Sequence, residues 1–478
     1  MTKMIVLAIF VLVTAAVGVY CAKAASSVSG FVLGGRNVGP WLTAFAYGTS
    51  YFSAVVFVGY AGQFGYSYGV AATWIGIGNA LLGSLLAWVV LGRRTRVMTK
   101  HLDAATMPEF FEKRYDSRGM KLVSSLIIFV FLIPYSASVY KGLSGLFSNA
   151  FGIGERFFVW VIVGMAVLTG IYVIIGGYAA TALNDFIQGI VMIVGIVAVV
   201  LTVLNKTGGY GESMNLLSAF SADKVPGLRG AYTSFFGPDP IGLLGVVILT
   251  SLGAWGLPQM IHKFYTIKNE RAIKTGTVVS TVFALFVAGG SYFMGAFGRL
   301  SVTSEQITGE NGAIHYDKIV PAMLGDLPDL LMGVVLVLVM SASMSTLSSL
   351  VISSSSTFTI DFLKGSFFKN MSNRMQVLLI RIFVAVFLVL SVVLAVLPNN
   401  PITSLMSWSW GALAGSFLGP FVLGLFWRGV TKAGVWASFI TGVGITMGGF
   451  ILQQCGVAFS GGLAILNSPI NIGALSMI

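Results

Sequence analysis

WLTAFAYGTSYFSAVVFVGY (residues 41–60) is apolar enough and long enough to cross a membrane as a helix, yet its centre, Gly48 to Ser53, is polar and flexible. A second stretch, LLGVVILTSLGAWGLPQMI (243–261), has the same defect, with Gly253, Gly256 and Pro258 clustered together. Taken alone, each reads equally well as a kink or as a true break. Together they carry more weight, because they lie five predicted helices apart, as the second and seventh spans, the spacing expected of two inverted five-helix repeats. Hydrocarbon cannot satisfy a freed backbone group, so unwound segments persist there only where they line a cavity. Paired breaks near the bilayer midplane are where secondary transporters place their ligands.

Composition sets the same frame. The 478 residues are 56% hydrophobic and 9% charged, with a mean hydropathy of +0.90. An all-α polytopic membrane protein follows. The pattern predicts thirteen spans, roughly 4–24, 41–62, 68–92, 122–148, 157–176, 185–203, 241–258, 277–298, 329–356, 377–397, 402–427, 433–453 and 463–478. The first lacks a small-residue cleavage site and reads as a retained helix, not a signal peptide. The chain reads as one transporter domain, with repeats over about 41–203 and 241–427 and peripheral helices in 1–40 and 428–478. MPEFFEKRYDSRGMK (107–121) reads as an amphipathic surface helix or, equally, a solvated connector.

The net charge of +12 has a topological origin. With the N-terminus outside, and Lys23 and Arg381 at span ends assigned to the adjoining loops, 20 of the 28 Lys and Arg fall in inner loops, seven outside, and one, Lys141, within a span. That bias orients the chain in a cell inner (plasma) membrane and makes the bilayer, not nucleic acid, its partner. Cys21 and Cys455 are too few for a disulfide framework, and the three His are scattered, so no transition-metal set is expected. Phosphate loops, dinucleotide fingerprints and nucleophile elbows are lacking from the sequence, and no enzymatic chemistry is expected.

Hydroxyls supply the first candidate site. SASMSTLSSLVISSSS (341–356) follows the apolar run LLMGVVLVLVM. On a helix, Ala342, Ser345, Thr346 and Ser349 share a face and Ser348 lies beside them. Such groups bond back to their own helix, pack against a neighbour, or coordinate a ligand. For Ser353 to Ser356 back-bonding is expected. For the face from Ala342 to Ser349 we expect coordination of a hard monovalent cation such as Na+, by the Ser345 and Thr346 hydroxyls and the carbonyls of Thr49, Phe52 and Ala342. Asp185, at the head of an apolar span after Asn184, has two even readings: an ion ligand or an N-cap.

These stretches, with GGRNVGPWLTAFAYGTSYFSA (34–54) and GGYAATALNDFIQG (176–189), resemble the sodium/solute symporters, a family that includes proline, pantothenate and sialic acid carriers and the sodium–glucose cotransporters. The resemblance covers essentially the whole chain. It implies an inverted-repeat core with one helix before it and two after, and a main sodium site on the five oxygens already named. It also implies, for some members, a second sodium site, here Asp185, Ser345, Ser348 and Ser349, so that one or two Na+ ions are expected as coupling ions. Tyr51 stands where proline carriers have an acidic residue, which speaks against a proline-type site. Ser53 matches the family's polar pattern, and Tyr135 in LIPYSASVYKG matches a proline-carrier tyrosine.

Around these, Lys141 reads as a partner for a solute carboxylate or as a lysine reaching for the outer interface. Trp255 reads as a gate or a packing residue, with Gln259 beside it. The expected function is Na+-coupled import of a small organic solute, amino acid or carboxylate before sugar, by alternating access. The alternative is a transporter-like sensory input domain of a membrane signalling protein, which the abrupt end of the last span, GGLAILNSPINIGALSMI (461–478), leaves open.

Overall fold

The computed structural model describes the chain apart from residues 1, 153–154, 224, 309–313, 326, 369 and 398–400. In chain order the main helices are α1 (Thr2–Tyr20), α2 (Pro40–Tyr51), α3 (Val55–His101), α4 (Met107–Tyr115), α5 (Arg118–Phe151) and α6 (Glu155–Lys206). They continue as α7 (Pro240–Gly256), α8 (Pro258–Thr266), α9 (Glu270–Ala296), α10 (Asp329–Ser366), α11 (Asn373–Val396), α12 (Ile402–Phe426), α13 (Lys432–Gln454) and α14 (Pro469–Ser476). A small ribbon pairs Ser221–Ala222 with Val225–Arg229.

Both breaks expected from the sequence are present, and local chemistry makes them. α2 ends where Phe52 leaves the helical region (φ −106°, ψ 89°), its N–H closing the last turn on the Gly48 carbonyl at 3.1 Å. The chain resumes with Ser53 acting as a cap, its Oγ accepting the Val55 N–H at 3.1 Å. The second break bends α7 against α8 by 47°. Leu257 is extended there, as a residue before proline prefers, and Pro258 opens α8 where its missing N–H costs nothing.

A third break was not foreseen. Inside α6, Gly177 adopts φ 54°, ψ −149°, and a Cβ there would lie 3.0 Å from the Phe31 backbone. Glycine alone tolerates that conformation easily. The predicted fifth and sixth spans therefore meet at a kink with no loop between them, and Asp185 sits about two turns inside the helix that follows. The N-cap reading of Asp185 is corrected on that ground. Among the described residues nine helices are long and apolar enough to cross a membrane, or ten with the bent pair. α3, at 47 residues, runs from the end of predicted span two through span three, and α6, at 52 residues, through spans five and six; each turns at a glycine of positive φ, Gly69 and Gly177. The last predicted span divides into a 3-10 helix over Gly461–Asn467 and the eight residues of α14, the latter about 12 Å of helix against a roughly 30 Å core. α4 forms as an amphipathic helix, burying Phe110 and Phe111 against Phe421 and Phe417 of α12.

α10 is the central column, packed on α1, α2, α5, α6 and α11. It is buried without interruption from Val335 to Thr357, the expected state of a helix with no polar face. Its serines let neighbours approach and satisfy themselves locally: Ser343, Ser355 and Ser356 donate to the carbonyls of Val339, Val351 and Ile352 at 2.6–2.7 Å. α3 and α9 meet still more closely, at Gly65 and Gly295. A Cβ on Gly295 would lie 2.0 Å from the Ala61 carbonyl oxygen.

Gly295→Leu is expected to force these backbones apart at a cost of at least about 1–3 kcal/mol. Size-exclusion profiles and melting curves of the detergent-solubilised protein check this; a wild-type profile would show that the contact does not hold the fold.

Candidate ion and solute site

A helix that stops inside the protein leaves its last carbonyls without partners. At the end of α2, the Gly48 carbonyl is taken by Phe52, and the next ones are met by α10. The Thr346 hydroxyl donates to the Thr49 carbonyl at 3.2 Å and also reaches the Ser50 carbonyl at 3.4 Å. The single Ser345 hydroxyl proton has three acceptors in reach, the Ser341 carbonyl of its own helix at 2.8 Å, the Thr49 carbonyl at 3.1 Å and the Ala342 carbonyl at 3.2 Å. The structure thus brings the Thr49 and Ala342 carbonyls within hydrogen-bond distance of the Ser345 hydroxyl, with Thr346 beside it on Thr49. The fifth residue, Phe52, lines a small cavity of about 10 Å³ with Ala342, Ser53 and Ser291, whose remaining walls are apolar and which Thr49, Ser345 and Thr346 do not line. All five residues are buried. The negative end of the α2 dipole points at this cluster, which favours a cation. Among the described residues no three His, Cys, Asp or Glu side chains gather, so the donors are neutral oxygens of the kind hard cations prefer.

The residues of the predicted second sodium site are placed differently. Asp185 is fully buried, and its carboxylate lies 3.7 Å from the ammonium of Lys263, itself 1% exposed. The same ammonium donates to Ser349 Oγ at 2.8 Å and lies 5.2 Å above the Tyr178 ring. Ser349 Oγ in turn pairs with Ser50 Oγ of α2 at 2.7 Å. Ser348 donates to the Ser345 carbonyl of its own helix at 2.9 Å. Lys263 was counted among the inner-loop charges; the structure corrects this and buries it on α8. The signal in the sequence was Asp185 itself, since a charge in an apolar span needs a partner, and Lys263 follows the second break.

An aromatic cluster adjoins the break in α2. Tyr51 stacks on Phe52 at 4.4 Å between ring centres and on Trp410 at 6.0 Å, and Tyr135 meets Trp410 edge-on at 5.9 Å. The Tyr135 hydroxyl lies beside Ser53. The Tyr51 hydroxyl donates to the Thr250 carbonyl, so it ties the end of α2 to the last turns of α7. Gln259, on the first turn of α8, is buried with both amide atoms lacking a hydrogen-bond partner, an arrangement that marks a ligand position or a trapped water. Trp255 is half-buried, its indole N–H held by the Leu82 carbonyl at 3.0 Å. The Lys141 ammonium donates at 2.9 Å to the carbonyl of Leu397, just past the end of α11. Trp410 escaped the sequence reading because its role depends on where α12 packs.

A model of the sodium:solute symporter family matches residues 31–442. A sodium/proline symporter of Staphylococcus aureus (strain JH9) is 29% identical over 447 residues, covering 92% of this chain and 84% of the relative. Among solved structures, a substrate-bound, outward-open Na+-coupled sialic acid symporter superposes with a TM-score of 0.74 at 19% identity, covering 100% of this chain and 95% of that one. MhsT in complex with L-phenylalanine gives 0.54 at 13% identity, covering 91% of this chain and 98% of that one. Mhp1, a nucleobase-cation-symport-1 family transporter in a closed conformation with bromovinylhydantoin bound, gives 0.53 at 15% identity, covering 94% and 92%.

Removing both hydroxyls in Ser345→Ala/Thr346→Ala leaves the Thr49 carbonyl buried and unmet. A loss of about 1–3 kcal/mol is expected even in Na+-free buffer, read as a lowered melting temperature. Thr346→Ser, which keeps its oxygen, is expected to stay near wild type; equal loss in both variants would locate the effect in packing instead.

Proposed function

The chain belongs to the sodium:solute symporter family, and we propose that it imports a compact amino acid or carboxylate with Na+ by alternating access. One observation carries the ion assignment: two hydroxyls of α10 converge on a carbonyl left over at the broken end of α2. Those hydroxyls lie within hydrogen-bond distance of the Thr49 carbonyl. When Na+ enters, they rotate and offer lone pairs, with the carbonyls of Thr49, Ala342 and Phe52 completing the cage. The ion then does what the hydrogen bonds did, more strongly, and fixes α2 against α10.

Fixing α2 sets the solute cavity. Tyr51, Ser53 and Tyr135 flank the break, Trp410 closes the aromatic wall, and Gln259 supplies a donor and an acceptor. Trp255 and Lys141 hold the periphery. Few polar groups face several rings, which suits a compact solute with one polar end better than a sugar, whose many hydroxyls need partners. The proline carried by the named relative supports an amino acid, although Tyr51 makes proline itself the less favoured choice. Coupling is reciprocal: Na+ tightens solute binding by the factor by which solute tightens Na+. Each Na+ moving inward down 100 mV contributes about 2.3 kcal/mol. The basic loops orient the chain with its N-terminus outside an inner (plasma) membrane, and the paired breaks support two inverted repeats over about 41–203 and 241–427.

The test is the melting temperature of purified protein in Na+ or K+ with amino acids, short carboxylates, pantothenate, sialic acid and sugars. A solute that stabilises only in Na+ is expected; at 100 times its Kd it adds about 2.7 kcal/mol by mass action. Equal stabilisation in K+ would sink the coupling. Ser345→Ala or Thr346→Ala is expected to raise the half-saturating Na+ concentration about tenfold or more, about 1.4 kcal/mol per decade.

A further inference from the structure

The position implied for a second Na+ already holds a positive charge of the chain's own. Lys263 reaches from α8, the half-helix after the second break, and places its ammonium 2.8 Å from Ser349 Oγ and 3.7 Å from Asp185 Oδ2. Two of the four oxygen-bearing residues expected to bind that ion therefore face an ammonium. A third, Ser348, turns its hydroxyl to the Ser345 carbonyl, and the fourth, Ser345, belongs to the cage at Thr49. These residues do not fit a second Na+ while Lys263 is present. Asp185 and Lys263 are both buried and neutralise one another, and an added ion would leave a net buried charge beside an ammonium.

We infer that Lys263 is a tethered cation that takes the place of the second coupling ion, so that this chain couples one Na+ to each solute. The inference rests on the sodium-coupled reading above and sets its stoichiometry. The ammonium also performs the mechanical task an ion would perform. Through Ser349 it contacts Ser50 of α2, next to Thr49, and so ties α8, α10 and α2 together at one point. Because the cation is covalently attached, it stays through the cycle and moves no charge down the gradient. The half-helix after one break is thus held against the half-helix before the other, and only the site at Thr49 empties and fills.

Equilibrium binding of radioactive sodium to the purified full-length protein tests this. Wild type is expected to bind about one Na+ per chain with a Hill coefficient near one. Lys263→Ala leaves Asp185 without its partner and makes room, and it is expected to bind about two Na+ with a Hill coefficient approaching two. Its stability is also expected to depend on Na+ and not on K+ at equal ionic strength. Lys263→Ala/Asp185→Asn, in which the pair is removed without net charge, is expected to return to about one. Two ions on wild type would overturn the inference, and that count needs no variant to fold. One ion on Lys263→Ala, or two on the double variant, would overturn it as well. No sodium on wild type would instead overturn the sodium-coupled reading on which the inference stands.

Discussion

A helix that ends inside a membrane protein must find partners for its last carbonyls, and this need organises the whole molecule. α2 stops at Tyr51 with the buried Thr49 and Ser50 carbonyls lacking a partner within the helix. The neighbouring hydroxyls of Ser345 and Thr346 on α10 lie within hydrogen-bond distance of them. Their reach requires α10 to lie directly against α2, which in turn requires α10 to be buried on every side among α1, α5, α6 and α11. The same groups that satisfy the break are the ones the proposed cation site uses, because a carbonyl that accepts a hydroxyl proton also accepts an ion.

The second break is handled by different means. At Leu257 the chain turns through an extended residue and a proline, and few orphan groups are created. What α8 contributes is a side chain. Lys263 crosses to Ser349 and Asp185, so the two half-helices meet through charge and hydroxyl chemistry and not through backbone. Tyr51 adds a second link, from the end of α2 to the Thr250 carbonyl on α7. Motion of either broken helix is therefore felt by the other, which is the physical requirement for coupling between two sites.

Burial of Asp185 and Lys263 is costly unless they remain paired. The arrangement keeps them so, with Tyr178 covering the ammonium and Ser349 bridging to α2. Neither charge stabilises the fold in the manner of packed apolar groups. Their value lies in fixing how α6, α8 and α10 register against one another, and in deciding how many mobile cations the core accepts.

Much was legible in the chain because membranes impose few options. Long apolar runs had to be helices, the pairing of the interruption at Gly48 to Ser53 with the one at Gly253, Gly256 and Pro258 favoured true breaks over kinks, and the face carrying Ser345 and Thr346 followed from helical periodicity alone. Hydroxyl groups with one-residue spacing pointed to the Thr49 carbonyl because the interrupted helix had carbonyls to offer. Other features depended on packing across the chain. The kink at Gly177, which moved Asp185 from a helix start to a helix interior, arises from contact with Phe31 on a distant segment. The burial of Lys263 arises from α8 lying against α2 and α10, and a lysine among loop-like neighbours reads as a loop charge until that packing is known. Trp410 joins Tyr51 only because α12 closes over the break. Local sequence determined which groups were free to bind, since backbone satisfaction is a local requirement; tertiary structure alone decided which charges met, since partners for a buried ion come from anywhere in the chain.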